Sequence, residues 1–377
     1  MKNIWLFGVL LCLMKTLSAQ DTFIIKDVAL FDGDSIMPKT SVYVENGTIA
    51  KIAPEIHIAT EKIIDGQGKT LIPALSNAHV HAWSPASLQE AAKAGVLNVM
   101  DMHGVEPFQM GMRKLKDSVN YANYYVAGYA ATAPEGHGTQ FGFPVPTLQH
   151  PNEAKDFIQE RIKAQVDYIK IIVEPYKNTL SKETVAGLIE AAHEFRKITV
   201  VHVSHLSDAV EVISNSADGL AHIWRDKAID TTTLNNLASS YDFFVIPTLL
   251  TTIKAHEQMG SDANDYLSKS ELLAELKKLH QAKIPILAGT DPPNLGINYG
   301  DDLYKELLLF KDSGMSTEAV LKTATSQIAQ AFKLKDLGYI KEGIKANMIL
   351  FSGDLVQDLN VLYNDKIIWK NGKRINL

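Results

Sequence analysis

Six residues capable of metal binding or proton transfer stand in, or directly after, short apolar runs: His79, His81, Lys170, His202, His222 and Asp291. Successive side chains on a strand alternate in direction, so His79 and His81, two apart, share a face. Neutral imidazole is a common zinc ligand, and the pair can grip one divalent ion from one side. His202 ends Thr199-Val200-Val201-His202, and His222 follows one βα unit later in Gly219-Leu220-Ala221-His222. As consecutive strand ends, they read as the ligands of a second ion.

Lys170 lies in Asp167-Tyr168-Ile169-Lys170-Ile171-Ile172-Val173, among apolar and β-branched neighbours. An ammonium is costly to bury there. Either the side chain snorkels out of the strand end, or it is held as a neutral amine, which can add carbon dioxide and become a carbamate. Asp291 closes Leu287-Ala288-Gly289-Thr290-Asp291, where a surface turn before Pro292-Pro293 is the plain alternative to a functional carboxylate.

These residues act together only if strands bring them together. Eight apolar runs alternate with helical stretches: Ala74 to His81, Val96 to His103, Tyr124 to Ala130, Val166 to Val173, Ile198 to Ser204, Asp218 to Ile223, Phe243 to Leu249 and Ile284 to Thr290. Among the helical stretches, Asn152 to Ala164 and Ser181 to Arg196 carry apolar residues at three- and four-residue spacing, the second with capping chemistry at Ser181. The alternation predicts an α/β fold with a parallel sheet. A doubly wound open sheet gives no reason for metal-type residues to recur near the carboxyl ends of runs one, four, five, six and eight. In a (β/α)8 TIM barrel those ends converge on one mouth.

Outside the barrel pattern, Thr22 to Leu30 and Ser41 to Ile52 alternate polar and apolar residues around turn signals at Asp32-Gly33-Asp34 and Glu45-Asn46-Gly47. Ala346 to Ser352 and Lys366 to Lys370 repeat that texture. Together they predict a small β-sandwich domain built from both termini. The expected organisation is a signal peptide over 1–19, sandwich strands over 20–73, the barrel over 74–336 and the rest of the sandwich over 337–377.

The signal peptide is read from Lys2, the apolar run Ile4 to Met14 and the small-residue end Thr16-Leu17-Ser18-Ala19. That run is too short to span a bilayer. Cleavage after Ala19 predicts an exported protein, periplasmic or secreted, with no membrane association after cleavage. Cys12 is the single cysteine of 377 residues and lies in this segment. The mature chain is then free of thiolate ligands, disulfides and cysteine nucleophiles, so a metal must be held by His, carboxylate or modified lysine. A formal charge of −6 without a basic block argues against nucleic acid.

The first run, preceded by Lys69-Thr70-Leu71-Ile72-Pro73 and reading Asn77-Ala78-His79-Val80-His81, resembles the amidohydrolase superfamily, in its imidazolonepropionase-like and Xaa-Pro dipeptidase-like branch. Members typically show Leu-Ile-Pro-Gly followed by Asp-x-His-x-His, so Ala74 and Asn77 depart from the pattern while the histidines remain. The resemblance implies two divalent metal ions, zinc by preference, with a carbamate on Lys170 bridging them and Asp291 binding the first ion and moving protons. It implies hydrolysis of a carbon–nitrogen bond of an amide or peptide type, with a metal-bridging hydroxide as nucleophile, on a small-molecule substrate such as a dipeptide or N-acyl amino acid. A mononuclear deaminase, a cyclic amide or lactone hydrolase on the same barrel, and an inactive binding or scaffold protein are the alternatives.

Substrate choice should lie in the loops after the strands, among them Trp83, His103, Trp224 and the glycine-rich segment Ala131 to Pro151. His137, Tyr176, His205 and Arg225 are the expected substrate-binding residues, with Arg225 suited to a carboxylate. A salt bridge from Arg225 to Asp226 is the plain alternative.

Overall fold

The computed structural model describes residues 22–60, 62–260 and 265–376, and the expected signal peptide, with Cys12, lies outside the described residues. The chain opens with β1 (Phe23–Phe31), β2 (Ile36–Glu45), β3 (Thr48–Ala53), β4 (Ile63–Asp65) and β5 (Lys69–Pro73). Asn46 and Gly47 join β2 to β3 with φ of 50° and 74°. Both positive values are what a two-residue type I′ hairpin requires, which is why an Asn-Gly pair sits there.

Next come β6 (Leu75–Val80), β7 (Val96–Asp101), β8 (Asn123–Val126), β9 (Ile169–Ile172), β10 (Thr199–His202), β11 (Gly219–Ala221) and β12 (Phe244–Ile246), most of them separated by helices. The helix Lys182–Glu194 begins as predicted, with the Ser181 side chain accepting from the Thr184 N–H. The chain closes with β13 (Met348–Ser352), β14 (Lys366–Lys370) and β15 (Lys373–Arg374).

The terminal strands form one mixed sheet in the order β15-β14-β13-β5-β1-β2-β3, with β4 also paired to β1. Two facing sheets were expected; instead β5 pairs with both β1 and β13 and joins the N-terminal strands to the C-terminal ones. One face buries Phe23, Val28, Val42, Leu71, Met348 and Trp369, with the Phe23 and Trp369 rings stacked at 5.1 Å.

The middle of the chain holds two parallel sheets, β6-β7-β8 and β12-β11-β10-β9. Backbone hydrogen bonds pass between them. Just beyond β8, the Ala131 N–H donates to the Lys170 carbonyl (2.8 Å), and the Ile172 N–H donates to the Ala131 carbonyl (2.9 Å). At the other edge, the Leu287 N–H donates to Val245 in β12, while the Ala78 N–H of β6 donates to Ala288.

The run Ile284 to Thr290, expected as an eighth strand, makes only an isolated bridge, Val245 to Ile286. Several of its donors are missing or diverted, although the Leu287 N–H still reaches β12. Pro285 has no N–H, the Ala288 N–H goes to the Thr323 carbonyl, and the Thr290 N–H goes to the Asn77 side chain. Even so, one buried cluster draws on every run: Ala78, Met100, Ala127, Tyr168, Val200, Ala221, Ile246 and Leu287.

Candidate metal centre

All six residues picked out above line one cavity of about 300 Å³. Alternation along β9 explains Lys170: Tyr168 joins the internal cluster, and Lys170 and Ile172, on the same face, reach the cavity. Likewise Val200 is internal and His202 lines the cavity above it. His222 comes just after β11 and Asp291 just after the run 284–290, with φ of 71° and 56°. A left-handed backbone is unfavourable for both side chains, by about 1–3 kcal/mol each, and such strain persists where surrounding structure imposes it.

Asp291 is the hub. Its Oδ1 lies 3.3 Å from His79 Nε2 and 3.1 Å from His81 Nε2, and it accepts from Asn294 Nδ2 at 2.9 Å. Its backbone N–H donates to the His79 carbonyl (2.8 Å). Gly289 permits this approach, because a Cβ there would lie 3.0 Å from the His79 backbone nitrogen. His79, His222 and Asp291 present ligand atoms all within 4.8 Å of one another. That tightest group crosses the expected division into a His79/His81 pair and a His202/His222 pair. The rings of His79 and His222 are 4.8 Å apart, and those of His202 and His222 are 4.6 Å apart.

Burial sets the charge states. It pushes the His79, His202 and His222 imidazoles well below their ordinary range, aided at all three by the Lys170 charge. For His81, burial opposes protonation but is outweighed by the hydrogen bond and charge of Asp291, so its value rises. Asp291 is correspondingly lowered, with burial opposing and His81 prevailing. Burial pushes the Lys170 amine down to about 7, with Asp291 opposing. The amine is 3% exposed and its Nζ has no hydrogen-bond partner. Three neutral imidazoles, a carboxylate and an unpartnered amine in one cavity suit divalent cations that prefer nitrogen and oxygen donors.

Two partners orient the histidines. His222 Nδ1 lies 2.7 Å from Thr248 Oγ1, leaving Nε2 free. His202 Nε2 lies 3.1 Å from Glu174 Oε2, which also accepts from Ser204 Oγ at 2.6 Å. Glu174 is buried and was missed by sequence reasoning, as it stands in a loop with no periodic pattern. Asp101 was also missed. It accepts from the Ala82 and His103 N–H groups, Gln109 Nε2 and the Tyr124 hydroxyl, and burial raises it to about 6. The departure at Asn77 is constructive: its Oδ1 accepts from the His79 and Thr290 N–H groups and its Nδ2 donates to Thr290 Oγ1.

Of the expected substrate-binding residues, His137 and Arg225 line the cavity and Tyr176 and His205 do not. Tyr176, 49% exposed, instead holds its hydroxyl 2.7 Å from His205 Nε2. Its ring and that of Tyr266 flank the Arg225 guanidinium at 5.7 and 5.0 Å. Asp226 accepts from the Leu206 N–H, while Arg225 Nε is buried without a hydrogen-bond partner. Trp224 points away from the cavity lining, its Nε1 donating to buried Glu275.

A solved Xaa-Pro dipeptidase with methionine in its active site superposes with a TM-score of 0.80 at 19% identity, over 94% of this chain and 100% of that one. The 5-methylthioadenosine/S-adenosylhomocysteine deaminase of Thermococcus sibiricus is 22% identical over 386 residues, 87% of this chain and 85% of that protein. A dihydroorotase of Pediococcus pentosaceus is 37% identical over 78 residues, so the chain spans only 18% of that relative. The model of the amidohydrolase family matches residues 70–375. With its candidate metal centre inside that match, the chain is an enzyme of the amidohydrolase family.

Proposed function

We propose that the protein is a metal-dependent hydrolase of carbon–nitrogen bonds acting on a dipeptide or N-acyl amino acid. The observation that carries this reading is the single cavity lined by His79, His81, Lys170, His202, His222 and Asp291, with the Lys170 amine buried and unpartnered. Two divalent ions, zinc by donor preference, would polarise the scissile carbonyl and activate water there. His79, His81 and Asp291 would hold one, His202 and His222 the other, and Lys170 would join them as a carbamate. To form it, the Nζ lone pair bonds to the carbon of carbon dioxide and an N–H proton leaves to solvent. An amine near neutral pKa is suited to that step.

Asp291 Oδ1, already the acceptor beside His79 and His81, takes the proton of the attacking water and delivers it to the leaving amine. Arg225, which lines the cavity with its guanidinium beside the Tyr176 and Tyr266 rings, pairs with the substrate carboxylate. His137, whose ring is 4.8 Å from that of His202, borders the same space. A mononuclear deaminase is the second reading, favoured by the compact His79–His222–Asp291 group; it leaves the buried Lys170 without a role.

Elemental analysis tests the choice: about two equivalents of divalent metal per chain, falling to one or fewer in Lys170→Ala. One equivalent, unchanged in Lys170→Ala, overturns the binuclear reading. Absence of hydrolysis by metal-loaded enzyme across dipeptides and N-acyl amino acids overturns the substrate class.

The same proposal includes closure of the parallel strands and the run 284–291 into a (β/α)8 barrel over 74–336, supported by the hydrogen bonds at both sheet edges. It also includes export after removal of residues 1–19, supported by the charged, apolar and small-residue zones there.

A further inference from the structure

A second cavity, of about 310 Å³, lies beside the candidate metal centre and is lined by Trp83, Val105, Phe108, Gln109, Tyr124 and Phe143, among others. Its lining is chiefly rings and aliphatic groups. Only a layer of rings separates it from the first cavity. Phe141 lines the catalytic side; its ring is 5.7 Å from Trp83 and stacks on Phe143 at 6.4 Å with 16° between planes. Trp83 is itself layered on His81, 6.2 Å and 12°. A flat group resting on Trp83 would therefore sit one ring from the metal-binding face.

The polar atoms of this cavity are unequally committed. The Tyr124 hydroxyl and Gln109 Nε2 both donate to Asp101, at 2.6 and 3.1 Å. Gln109 is 1% exposed, and its Oε1 has no hydrogen-bond partner. The amide cannot be turned over to cure this, because Nε2 is the atom that reaches the Asp101 carboxylate. A buried acceptor without a donor costs free energy, and with almost no accessible surface this oxygen is part of the cavity wall and not a ligand contact. Gly104 keeps the amide in place, since a Cβ there would fall 2.6 Å from Gln109 Nε2.

We propose that this side cavity is a specificity pocket for an aromatic side chain on the acyl side of the scissile bond. The assignment to the acyl side rests on the hydrolase reading above. Arg225, the partner for the amine-side carboxylate, belongs to the part of the wall near His202 and His222, whereas Trp83 and Phe141 adjoin His81. Substrate laid across the centre from Arg225 points its acyl group at the rings. Phe141 and Phe143 sit in the glycine-punctuated loop, where Gly138 and Gly142 take φ of 98° and 78°.

The test uses metal-loaded enzyme and dipeptides that share one C-terminal residue and differ in the first: Trp, Tyr, Phe, Leu or Ala. Burying the ring predicts a kcat/KM for Trp, Tyr and Phe at least about thirtyfold above Ala. The Trp-to-Ala ratio should fall at least about tenfold in Val105→Phe, which fills the pocket. Binding of indole-3-acetate, followed by calorimetry in wild type and Val105→Phe, separates the two readings. Hydrolysis without aromatic preference overturns the pocket and leaves the hydrolase. Indole-3-acetate binding that Val105→Phe abolishes, in an enzyme that cleaves none of the dipeptides, upholds the pocket and overturns the dipeptide substrate class. Neither preference nor binding overturns the pocket outright.

Discussion

Glu174 is the point at which the metal proposal is most exposed to test. Its Oε2 accepts from Ser204 Oγ at 2.6 Å and stands 3.1 Å from His202 Nε2, with both side chains buried. With Nε2 engaged, Nδ1 is the His202 atom left for an ion. Glu174→Ala removes a charged acceptor from two donors, a loss of about 1.5–3 kcal/mol for a hydrogen bond to a charged group. That corresponds to about ten- to a hundredfold in affinity for the ion held by His202 and His222, the range found when an orienting carboxylate is removed from a metal-bound histidine. Glu174→Gln keeps an oxygen acceptor and should lose about tenfold at most. The assay is competition with a chromophoric chelator, followed by elemental analysis: Glu174→Ala should release about half its metal at chelator concentrations that leave wild type loaded. Equal affinity in wild type and Glu174→Ala, or equal loss in Ala and Gln, would refute the reasoning.

Glu306 supplies a pH test. Burial raises its carboxyl from 4.5 to about 8, against the Leu249 and Leu250 N–H groups that it accepts. The folded state thus takes up a proton, and this contribution to stability is full below the unfolded value and is lost as pH rises through about 8. Glu306→Gln should flatten the decline of Tm over that window; an unchanged slope would count against it. Asn77→Ala strips acceptors from the buried His79 and Thr290 N–H groups and should cost about 2–4 kcal/mol in denaturant unfolding, a loss under about 1 kcal/mol being inconsistent with the brace. Arg225→Met should raise KM for carboxylate-bearing substrates by about ten- to a hundredfold with a smaller change in kcat. The corresponding substrate amides should be little affected, and an equal effect on them would remove Arg225 from carboxylate binding.

The strand histidines and Lys170 were legible because alternation along a strand is a local property, and the structure brings all of them to one cavity. The terminal strands and the Asn46-Gly47 hairpin were legible for the same reason. What sequence could not give depends on distant partners. The run Ile284 to Thr290 looks like a strand by composition, yet the Asn77 side chain and the Thr323 carbonyl, from remote parts of the chain, take some of its donors. Glu174 carries no pattern of its own and becomes meaningful only where β10 delivers His202 to it. Tyr176 and His205 follow strand ends as expected, but they bond to each other rather than lining the cavity.

The Asn77–Thr290 contact closes a span of 213 residues. Such closure is entropically unfavourable until late in folding, when the intervening strands have already shortened the effective loop. His79 and Asp291 lie on the two sides of that closure, two residues beyond Asn77 and one beyond Thr290. An ion held by both would act as a staple across that seam, and its binding free energy would stabilise the native chain by mass action. Metal uptake would then report closure of this seam, and chelation would weaken it.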